Sequence, residues 1–585
     1  MSPTSNTTKG QETSHVGRKH LNLNTEAMGQ HTTKGNDHTT EITGHDNPAY
    51  YHTDGVNDYP PNDHTAKVNG QDNPAFLCGP EDKPASRPPY ISPEGALELK
   101  EVQLDKQQYN NQEEGRETVK EVKPQIKLQV VAAVLTSLTH VVVGSIVGIP
   151  GVILPSLTDP NSSDIFLEPT QVALFGSAVH LGAIVGSVIA GVTNIYLGQR
   201  ITLLVSMPSA LVFWLAMSFT PSVWVLQLLR ILIGVAVGLM GAASGNYVVE
   251  ITHTNFRGRL TGMIDTGRQV GLLLVYIIGS LDLTWRQVMV VTGCITTIPP
   301  FIGFLFLPNS PRWLVTRGRH NEALKALEFF RGPDFNSESE FQTIVEQFQQ
   351  TTKCKKRTCD DFRGLLEPSV LHRMLFLSFL MIVIQFTGNI PIATYIVPIF
   401  KASDSELNSY ISAMLIGATR VLGCCAFLLV VDRVGRRKLA IIPCIVCALS
   451  LLVLAVYFLL RTCGQDVTRI RWLPLAALVV FSPFVCACQS MVSLLRSELL
   501  PTHVRPQGTA ILYILFFLGL YAATQTFPLM LPVVFEYGTF LIYSSCCILM
   551  ALVIAAVLPE TRGLSLEQIE DLFRYKKHAS QEHDP

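Results

Sequence analysis

Apolar segments of about 20 residues follow one another from Leu128 onward, and we count twelve of them. A helix of that length crosses the roughly 30 Å of hydrocarbon in a bilayer. Lipid offers the backbone no hydrogen-bond partners, so each segment must bond its own backbone as a helix. The pattern predicts an all-α membrane protein. The predicted segments are 128–150, 171–196, 201–219, 222–248, 261–281, 286–307, 373–399, 406–431, 438–461, 471–497, 508–534 and 537–558.

Composition supports a membrane protein and excludes several functions. Charged residues make up only 16% of the chain, against 48% hydrophobic residues, and this charged share is about two thirds of that of a soluble domain. The net charge of -1 argues against nucleic acid as a partner. The 13 cysteines lie mostly within apolar segments and show no pair of C-x-x-C motifs of the kind that binds a metal, which predicts packing residues. We expect no metal, no cofactor and no enzymatic activity.

The segments divide the chain into five predicted regions. Residues 1–123 are rich in polar residues, Gly and Pro and lack the apolar segment of a signal peptide, so they predict a disordered tail. Residues 124–307 and 373–558 form two six-helix bundles, joined by a polar linker at 308–372, and 559–585 is a second tail. The linker contains apolar residues at helical spacing, which predicts amphipathic intracellular helices lying under the bundle.

The positive charges predict the orientation of the chain. Lys and Arg concentrate in alternate loops, and such loops face the cytosol. Both termini are then cytosolic, in a multi-pass protein that we assign to the plasma membrane. Asn161, in Asn161-Ser162-Ser163, is a candidate glycosylation site in the loop assigned to the outside.

Repeated charge motifs indicate an internal duplication. Glu250 precedes Arg257 by seven residues, and Glu498 precedes Arg505 by the same interval. Acidic and guanidinium groups at these helix ends can pair across the two halves when a cavity opens outward and separate when it opens inward. In the alternative interpretation, these charges only anchor the helix ends at the membrane surface. The predicted cytosolic gate residues are Arg200, Glu250, Arg257, Arg312, Asp432, Arg436, Arg437, Glu498, Arg505 and Glu560.

An ordered set of motifs runs through both halves. It comprises Arg230-x3-Gly234-x3-Gly238, Tyr247-x2-Glu250-x6-Arg257-Gly258, Ser310-Pro311-Arg312-Trp313, Asp432-Arg433-x-Gly435-Arg436-Arg437, Glu498-x2-Pro501-x3-Arg505 and Pro559-Glu560-Thr561-Arg562-Gly563. From Leu128 to about Phe573 the chain resembles the sugar-porter family of the major facilitator superfamily, most of all its insect facilitated trehalose transporter branch. The resemblance implies a twelve-helix major facilitator fold of two six-helix halves with intracellular helices. It also implies sugar transport by alternating access.

The resemblance implies a substrate site on the seventh segment, where the family carries Q-Q-x-x-G-x-N. This chain keeps Gln385 in register, has isoleucine at Ile384 and Ile390, and displaces Asn389 by one residue. A spacing of four places Gln385 and Asn389 on one helix face, where they either bind solute or join helices. The candidate substrate-binding residues are Gln269, Gln385, Thr387, Asn389 and Tyr395.

Other positions depart from the family pattern. Proton-coupled members carry an Asp in the first segment, where this chain has Gly144-Ser145-Ile146, and this predicts facilitated diffusion. Ile195 replaces the Asp that usually partners Arg200, which predicts a resting state biased toward inward-open. The tenth and eleventh segments lack the usual Trp residues. The sequence there reads Gln489-Ser490-Met491-Val492-Ser493 and Phe516-Phe517.

Asp265, Arg268 and Arg420 are among the charged residues that lie within apolar segments. Asp265 and Arg268 are three residues apart and are expected to neutralise one another. Arg420, in the eighth segment, is expected to be a packing or snorkelling residue.

In the tail, Asn47-Pro48-Ala49-Tyr50 resembles an endocytic signal that adaptor proteins bind. Alternatively, the match arose by chance through sequence drift in a low-complexity repeat.

The leading functional prediction is a carrier of a hexose or of a disaccharide such as trehalose, with that solute and the lipid bilayer as its partners. The alternatives are a non-transporting receptor or sensor and a carrier of a non-sugar organic solute. Loss of polar groups at Ile384 and Ile390 favours the receptor, while the gate motifs favour a protein that cycles.

Overall fold

The computed structural model describes residues 125–160, 164–253, 257–333, 335–354, 367–404, 407–431, 433–500 and 504–560. These residues belong to one compact unit and contain helices but no strand. Residues 1–123, Asn161 and Asp432 lie outside them, as does the proposed adaptor motif Asn47–Tyr50.

The first half consists of six long helices, which we call spans 1 to 6. They begin and end within about four residues of the predicted segments, because apolar composition and helix-breaking loop residues set the same limits; the exception is span 1, which continues through Pro150 and ends at Leu157, beyond the predicted end at residue 150. Spans 1 to 6 are Lys127–Leu157, Pro169–Tyr196, Gln199–Phe219, Val223–Ile251, Arg257–Gly279 and Trp285–Leu305.

The second half contains spans 7 to 12, of which span 7 is interrupted. Span 7 consists of Pro368–Val383, the 3-10 turn Ile384–Thr387, Asn389–Thr394 and Ile396–Ser403. Spans 8, 9 and 10 are Ser409–Val430, Arg436–Thr462 and Leu473–Leu499. Spans 11 and 12 lie within Arg505–Val557 and are separated at Phe535, where φ is 56°.

The twelve-helix prediction is confirmed. Ten described helices are long and apolar enough to cross a membrane on those criteria. This number treats spans 11 and 12 as one helix and omits span 5, which carries Arg257, Arg259, Asp265 and Arg268. We call the end of the bundle that carries Arg257 the basic end, and the other end the opposite end.

Three linker helices pack on the basic end, as the amphipathic pattern predicted. They are Pro311–Thr316, His320–Arg331 and Ser337–Cys354. Arg331, which is only 2% exposed, donates to both carboxylate oxygens of Glu340 at 2.8 and 2.7 Å and to the carbonyl oxygen of Ile251 at 2.8 Å. The linker is therefore attached to span 4 by a buried arginine.

Glycine lets spans 2 and 4 approach at backbone distance. A Cβ on Gly182 would lie 1.9 Å from the carbonyl oxygen of Ile231, and one on Gly234 would lie 2.2 Å from that of Val179. Apolar side chains gain little by leaving lipid for another helix, so close van der Waals packing through small residues provides the attraction. Gly238, the second glycine of the motif that contains Gly234, also lies against the backbone of span 2, so glycine is needed at both positions of the motif.

Cysteines take part in the packing of the second half. Cys444 of span 9 and Cys488 of span 10 have sulfur atoms 3.6 Å apart, and Cys447 faces the carbonyl oxygen of Phe481 at 3.9 Å. All three are buried free thiols, and the described residues contain no His, Cys, Asp and Glu group suited to a metal. Their role as small packing residues agrees with the sequence interpretation.

The two halves end in similar contacts at the basic end. Arg200 at the start of span 3 donates to the carbonyl oxygens of Phe304 and Leu305 at 3.2 and 2.9 Å. Arg437 at the start of span 9 donates to the carbonyl oxygen of Ala555. Each arginine caps the C-terminal end of the sixth helix of its half, where carbonyls lack helical partners. Arg200 is thus not left unpartnered by Ile195.

Replacing Gly234 by Ala should destabilise the protein, because the added Cβ overlaps the Val179 carbonyl oxygen. Overpacking of this kind costs about 1–3 kcal/mol, and the thermal midpoint of the purified protein in detergent measures it. Gly241→Ala on the same span is the control, since nothing lies within 4 Å of the added Cβ. Equal midpoints for the two variants would contradict the close packing of spans 2 and 4.

Candidate substrate site and gate

Span 7 breaks at Gly388, between two of the predicted site residues. Gly388 has φ 85°, and a Cβ there would lie 2.7 Å from the ring of Tyr543. Gln385 precedes this left-handed residue within the 3-10 turn, and Asn389 begins the next helix. The prediction that Gln385 and Asn389 share one helix face by regular spacing is therefore wrong.

Arg420 connects the polar residues of this region. Its Nε donates to Oε1 of Gln269 at 2.8 Å, and its Nη2 donates to Oδ1 of Asn389 at 2.6 Å. The Asn389 amide then donates to Oε1 of Gln489 at 3.4 Å. We call Arg420, Gln269, Asn389 and Gln489 the polar cluster. It joins span 5 of the first half to spans 7, 8 and 10 of the second.

The expectation that Arg420 is a packing or snorkelling group is corrected by this geometry. The residue stands at the middle of span 8 and is only 2% exposed, so its guanidinium does not reach either surface. Sequence reasoning also missed Gln489 as a partner. The signals were present, because an ionisable residue within a membrane span is a functional candidate by default, and Gln489 lies in the stretch where the family has aromatic and proline residues.

Gln385 and Thr387 lie beside the cluster but bond within their own turn. The Gln385 amide donates to the carbonyl oxygen of Met381 at 3.1 Å, while its Oε1 is buried and has no hydrogen-bond partner among the described residues. The Thr387 hydroxyl donates to the carbonyl oxygen of Ile384 at 2.7 Å. Gln385 therefore offers an unused buried acceptor, which costs free energy unless a ligand satisfies it.

Tyr395 lies at the outer break of span 7, away from the polar cluster's bonds. Its hydroxyl donates to the carbonyl oxygen of Thr524 on span 11 at 3.4 Å, and its ring stacks on Phe527 with centroids 5.2 Å apart. The hydroxyl oxygen would lie 2.3 Å from a Cβ on Gly176 of span 2. Tyr395 thus joins the halves near the opposite end.

An apolar surface continues from the polar cluster. Ile390, next to Asn389, packs with Val147 of span 1 and Leu520 of span 11, against the rings of Phe516 and Phe517. Binding sites for small molecules combine such apolar walls with a few placed polar groups. The arrangement places polar groups beside an apolar wall, the two features that such a site combines.

The opposite end of the bundle is closed by direct contact between the halves. A Cβ on Gly151 of span 1 would lie 3.0 Å from the carbonyl oxygen of Ala393, which also accepts from the Tyr276 hydroxyl of span 5 at 2.7 Å. Ser177 of span 2 donates to Gln525 of span 11.

At the basic end, the predicted gate acids bond within their own halves. Glu250 accepts from Gln199 at 2.8 Å and from the Ser310 hydroxyl. In the second half, Glu498 lies 3.6 Å from the guanidinium of Arg436, whose backbone N–H donates to Glu560 at 2.7 Å.

A cavity of about 200 Å³ at the basic end brings further gate residues together. Its lining includes Glu250, Arg257, Arg312 and the Arg331–Glu340 pair. Arg257 has a buried Nε without a hydrogen-bond partner in the described residues. The side chain of Arg505 and all of Asp432 lie outside the described residues, so the structure gives no geometry for them.

Comparison with known proteins identifies the family. The profile of the family described as "Sugar (and other) transporter" matches residues 95–573. The chain belongs to the sugar transporter family. It is therefore a multi-pass membrane transporter and not an enzyme, with the major facilitator fold that its motifs implied.

Relatives and solved structures agree with this membership. A facilitated trehalose transporter homologue of Drosophila simulans is 28% identical over 76% of this chain and 90% of the relative. The facilitated trehalose transporter of Polypedilum vanderplanki is 27% identical, over 76% and 88%. The partially occluded inward-open xylose transporter XylE of E. coli matches with a TM-score of 0.63 and 20% identity, over 75% of this chain and 99% of that one.

Gln385 and Asn389 should respond differently to replacement by Leu. Gln385→Leu removes a buried acceptor without a partner, so the free energy of unfolding should stay the same or rise, while the KM for solute uptake rises. Asn389→Leu removes bonds to Arg420 and Gln489 and should lower the free energy of unfolding by about 1–3 kcal/mol. Thermal midpoints and uptake kinetics of both variants measure this. A midpoint for Gln385→Leu below that of Asn389→Leu would contradict the assignment.

Proposed function

We propose that this transporter carries a sugar by facilitated diffusion through alternating access, with the polar cluster and Gln385 as its binding groups. The observation that supports the proposal most directly is the buried set of amides where spans 5, 7, 8 and 10 meet. Gln385 adds an acceptor with no partner. A sugar hydroxyl is a donor of the kind that this acceptor lacks, and unmatched buried polar groups discriminate strongly among solutes.

The substrate class follows from the relatives as well as from the site. Relatives that share 27–28% identity over most of their length are named facilitated trehalose transporters, and the solved structures that match include XylE bound to 6-bromo-6-deoxy-D-glucose. We therefore place hexoses and disaccharides first among the candidate substrates. The aromatic side chains of Phe516 and Phe517 take the place of the missing Trp residues as the apolar wall.

The described residues near the site include no carboxylate suited to proton coupling. Ile146 stands where proton-coupled relatives carry Asp, and the neighbouring Ser145 hydroxyl donates to the carbonyl oxygen of Val141 at 2.8 Å. Asp265, the acidic residue within span 5, lies 2.9 Å from Arg268 and is neutralised there. A proton coupler needs a carboxylate that changes its protonation during transport.

The positive-inside rule supports placing the basic end in the cytosol. Both termini are then cytosolic, and the loop that carries Asn161 is outside, where glycosylation is possible. We assign the transporter to the plasma membrane. An adaptor bound at Asn47–Tyr50 would remove it from there by endocytosis.

Uptake should not depend on a proton gradient. We expect oocytes that express the transporter to take up labelled trehalose or D-glucose above uninjected controls, at a rate that an inward proton gradient and a protonophore leave unchanged. Gradient-driven acceleration that the protonophore abolishes would show that the protein is a symporter. No sugar uptake by a protein present at the surface would favour a receptor.

The basic-end charges form the cytosolic gate in this proposal. With the opposite end closed, Glu250 and Glu498 bond within their own halves, as the gate requires when its charges are separated. Closing the basic end would bring Arg257 and Glu250 toward Arg505 and Glu498. Shielded pairs of this kind contribute more than exposed ones, which give about 1 kcal/mol or less.

Arg257→Ala should hold the transporter with its basic end open and slow uptake without reducing surface expression. Arg259→Ala is the matched control, because Arg259 is exposed on the same span. To measure which end is open, a cysteine is introduced by Thr394→Cys, a buried position at the opposite end, and a thiol reagent is added outside the cell. Labelling of this cysteine should fall with Arg257→Ala and not with Arg259→Ala. Equal labelling and equal uptake in the two arginine variants would contradict the assignment of Arg257 to the gate.

A further inference from the structure

Arg420 is a buried cation without an acidic partner. Its two hydrogen bonds go to the neutral amide oxygens of Gln269 and Asn389, and it forms no ion pair with a carboxylate of the described residues. Arginine stays protonated in proteins. A charge within a membrane span is costly and is normally paired or placed on a substrate path.

The surroundings of Arg420 leave its charge uncompensated. Asp265 is the nearby acid on span 5, and it already lies 2.9 Å from Arg268. Arg268 and Arg420 carry two positive charges against the one negative charge of Asp265, so this set has a net charge of +1. In a region of low dielectric such an excess attracts an anion more strongly than it would in water.

We propose that Arg420 binds a carboxylate of the transported solute, and that the substrate class of this site is an acidic sugar such as a uronate. This inference rests on the proposed sugar-carrier function and narrows it. The planar guanidinium engages a carboxylate through two parallel N–H groups, while the free acceptor of Gln385 takes a hydroxyl of the same molecule. A neutral sugar needs only amides, which the cluster already has.

Transport of an acidic sugar by a uniporter moves charge. Each anion that enters carries one negative charge inward, so uptake produces an outward current that grows as the membrane is depolarised. D-glucuronate and D-glucose differ only at C6, which is a carboxylate in D-glucuronate and a hydroxymethyl group in D-glucose. They therefore form a matched pair of probes.

The test uses voltage-clamped oocytes that express the full chain. We expect D-glucuronate to be taken up with one elementary charge per molecule, and D-glucose to give no current. Acetate, a carboxylate without a hydroxyl group, should give neither current nor uptake above that of uninjected oocytes, because Gln385 then lacks its ligand.

Variants assign the effect to Arg420. Arg420→Gln removes the charge and should raise the KM for D-glucuronate about tenfold or more, the usual effect of losing a charged hydrogen bond. Arg420→Lys keeps the charge and should raise the KM for D-glucuronate by a smaller factor. Arg259→Gln removes an exposed positive charge at the basic end and should change nothing. If Arg420→Gln fails to reach the surface, the D-glucuronate current of the wild-type protein and the KM of Arg420→Lys still test the inference.

The outcomes separate this inference from the proposed function. Uptake of trehalose or D-glucose without uptake of D-glucuronate would leave a sugar carrier and overturn the acidic substrate. Uptake of acetate alone would overturn both the acidic sugar and the proposed sugar function. An unchanged D-glucuronate KM in Arg420→Gln would overturn the role of Arg420.

Discussion

Backbone contact between helices through glycine is the constraint on which the first half depends. A Cβ on Gly271 of span 5 would lie 2.1 Å from the Val141 carbonyl oxygen of span 1, and one on Gly144 would lie 1.9 Å from the Arg268 carbonyl oxygen in return. Spans 2 and 4 repeat this reciprocal arrangement. Backbones that touch on both sides cannot slide past one another without steric overlap, so each of these two helix pairs is built to move as one body.

That rigidity fixes the position of the polar cluster. Span 5 packs on span 1 through Gly144 and Gly271, and its other face meets span 8, where a Cβ on Gly417 would lie 3.1 Å from the Cα of Leu273. Gln269 is thereby held against Arg420 across the boundary between the halves. The second half contributes a less regular partner, because span 7 unwinds around Gly388 and turns Asn389 toward span 8.

The sequence predicted the helices well and the site only in part. Length and apolar composition are local properties, so the twelve spans and the amphipathic linker could be read directly from the chain. Gln385 and Asn389 were recognised through the family motif, and Gln269 as a polar residue within an apolar segment. The role of Arg420 could not be read in this way, because its bond to Gln269 joins residues 151 positions apart. The prediction that Gln385 and Asn389 share one helix face failed because span 7 is broken between them, and one left-handed glycine changes the direction of every following side chain.

The break in span 7 provides a physical link between solute binding and closure. Ala393 follows Asn389 by one helical turn, and its carbonyl oxygen faces Gly151 and accepts from Tyr276 at the closed opposite end. Asn389 itself bonds to Arg420 and Gln489. A solute that competes for Arg420 or Asn389 therefore acts on the short helix that holds the opposite end shut. Since a ligand shifts a conformational equilibrium only by its differential contacts with the two states, these shared contacts are where binding can favour opening.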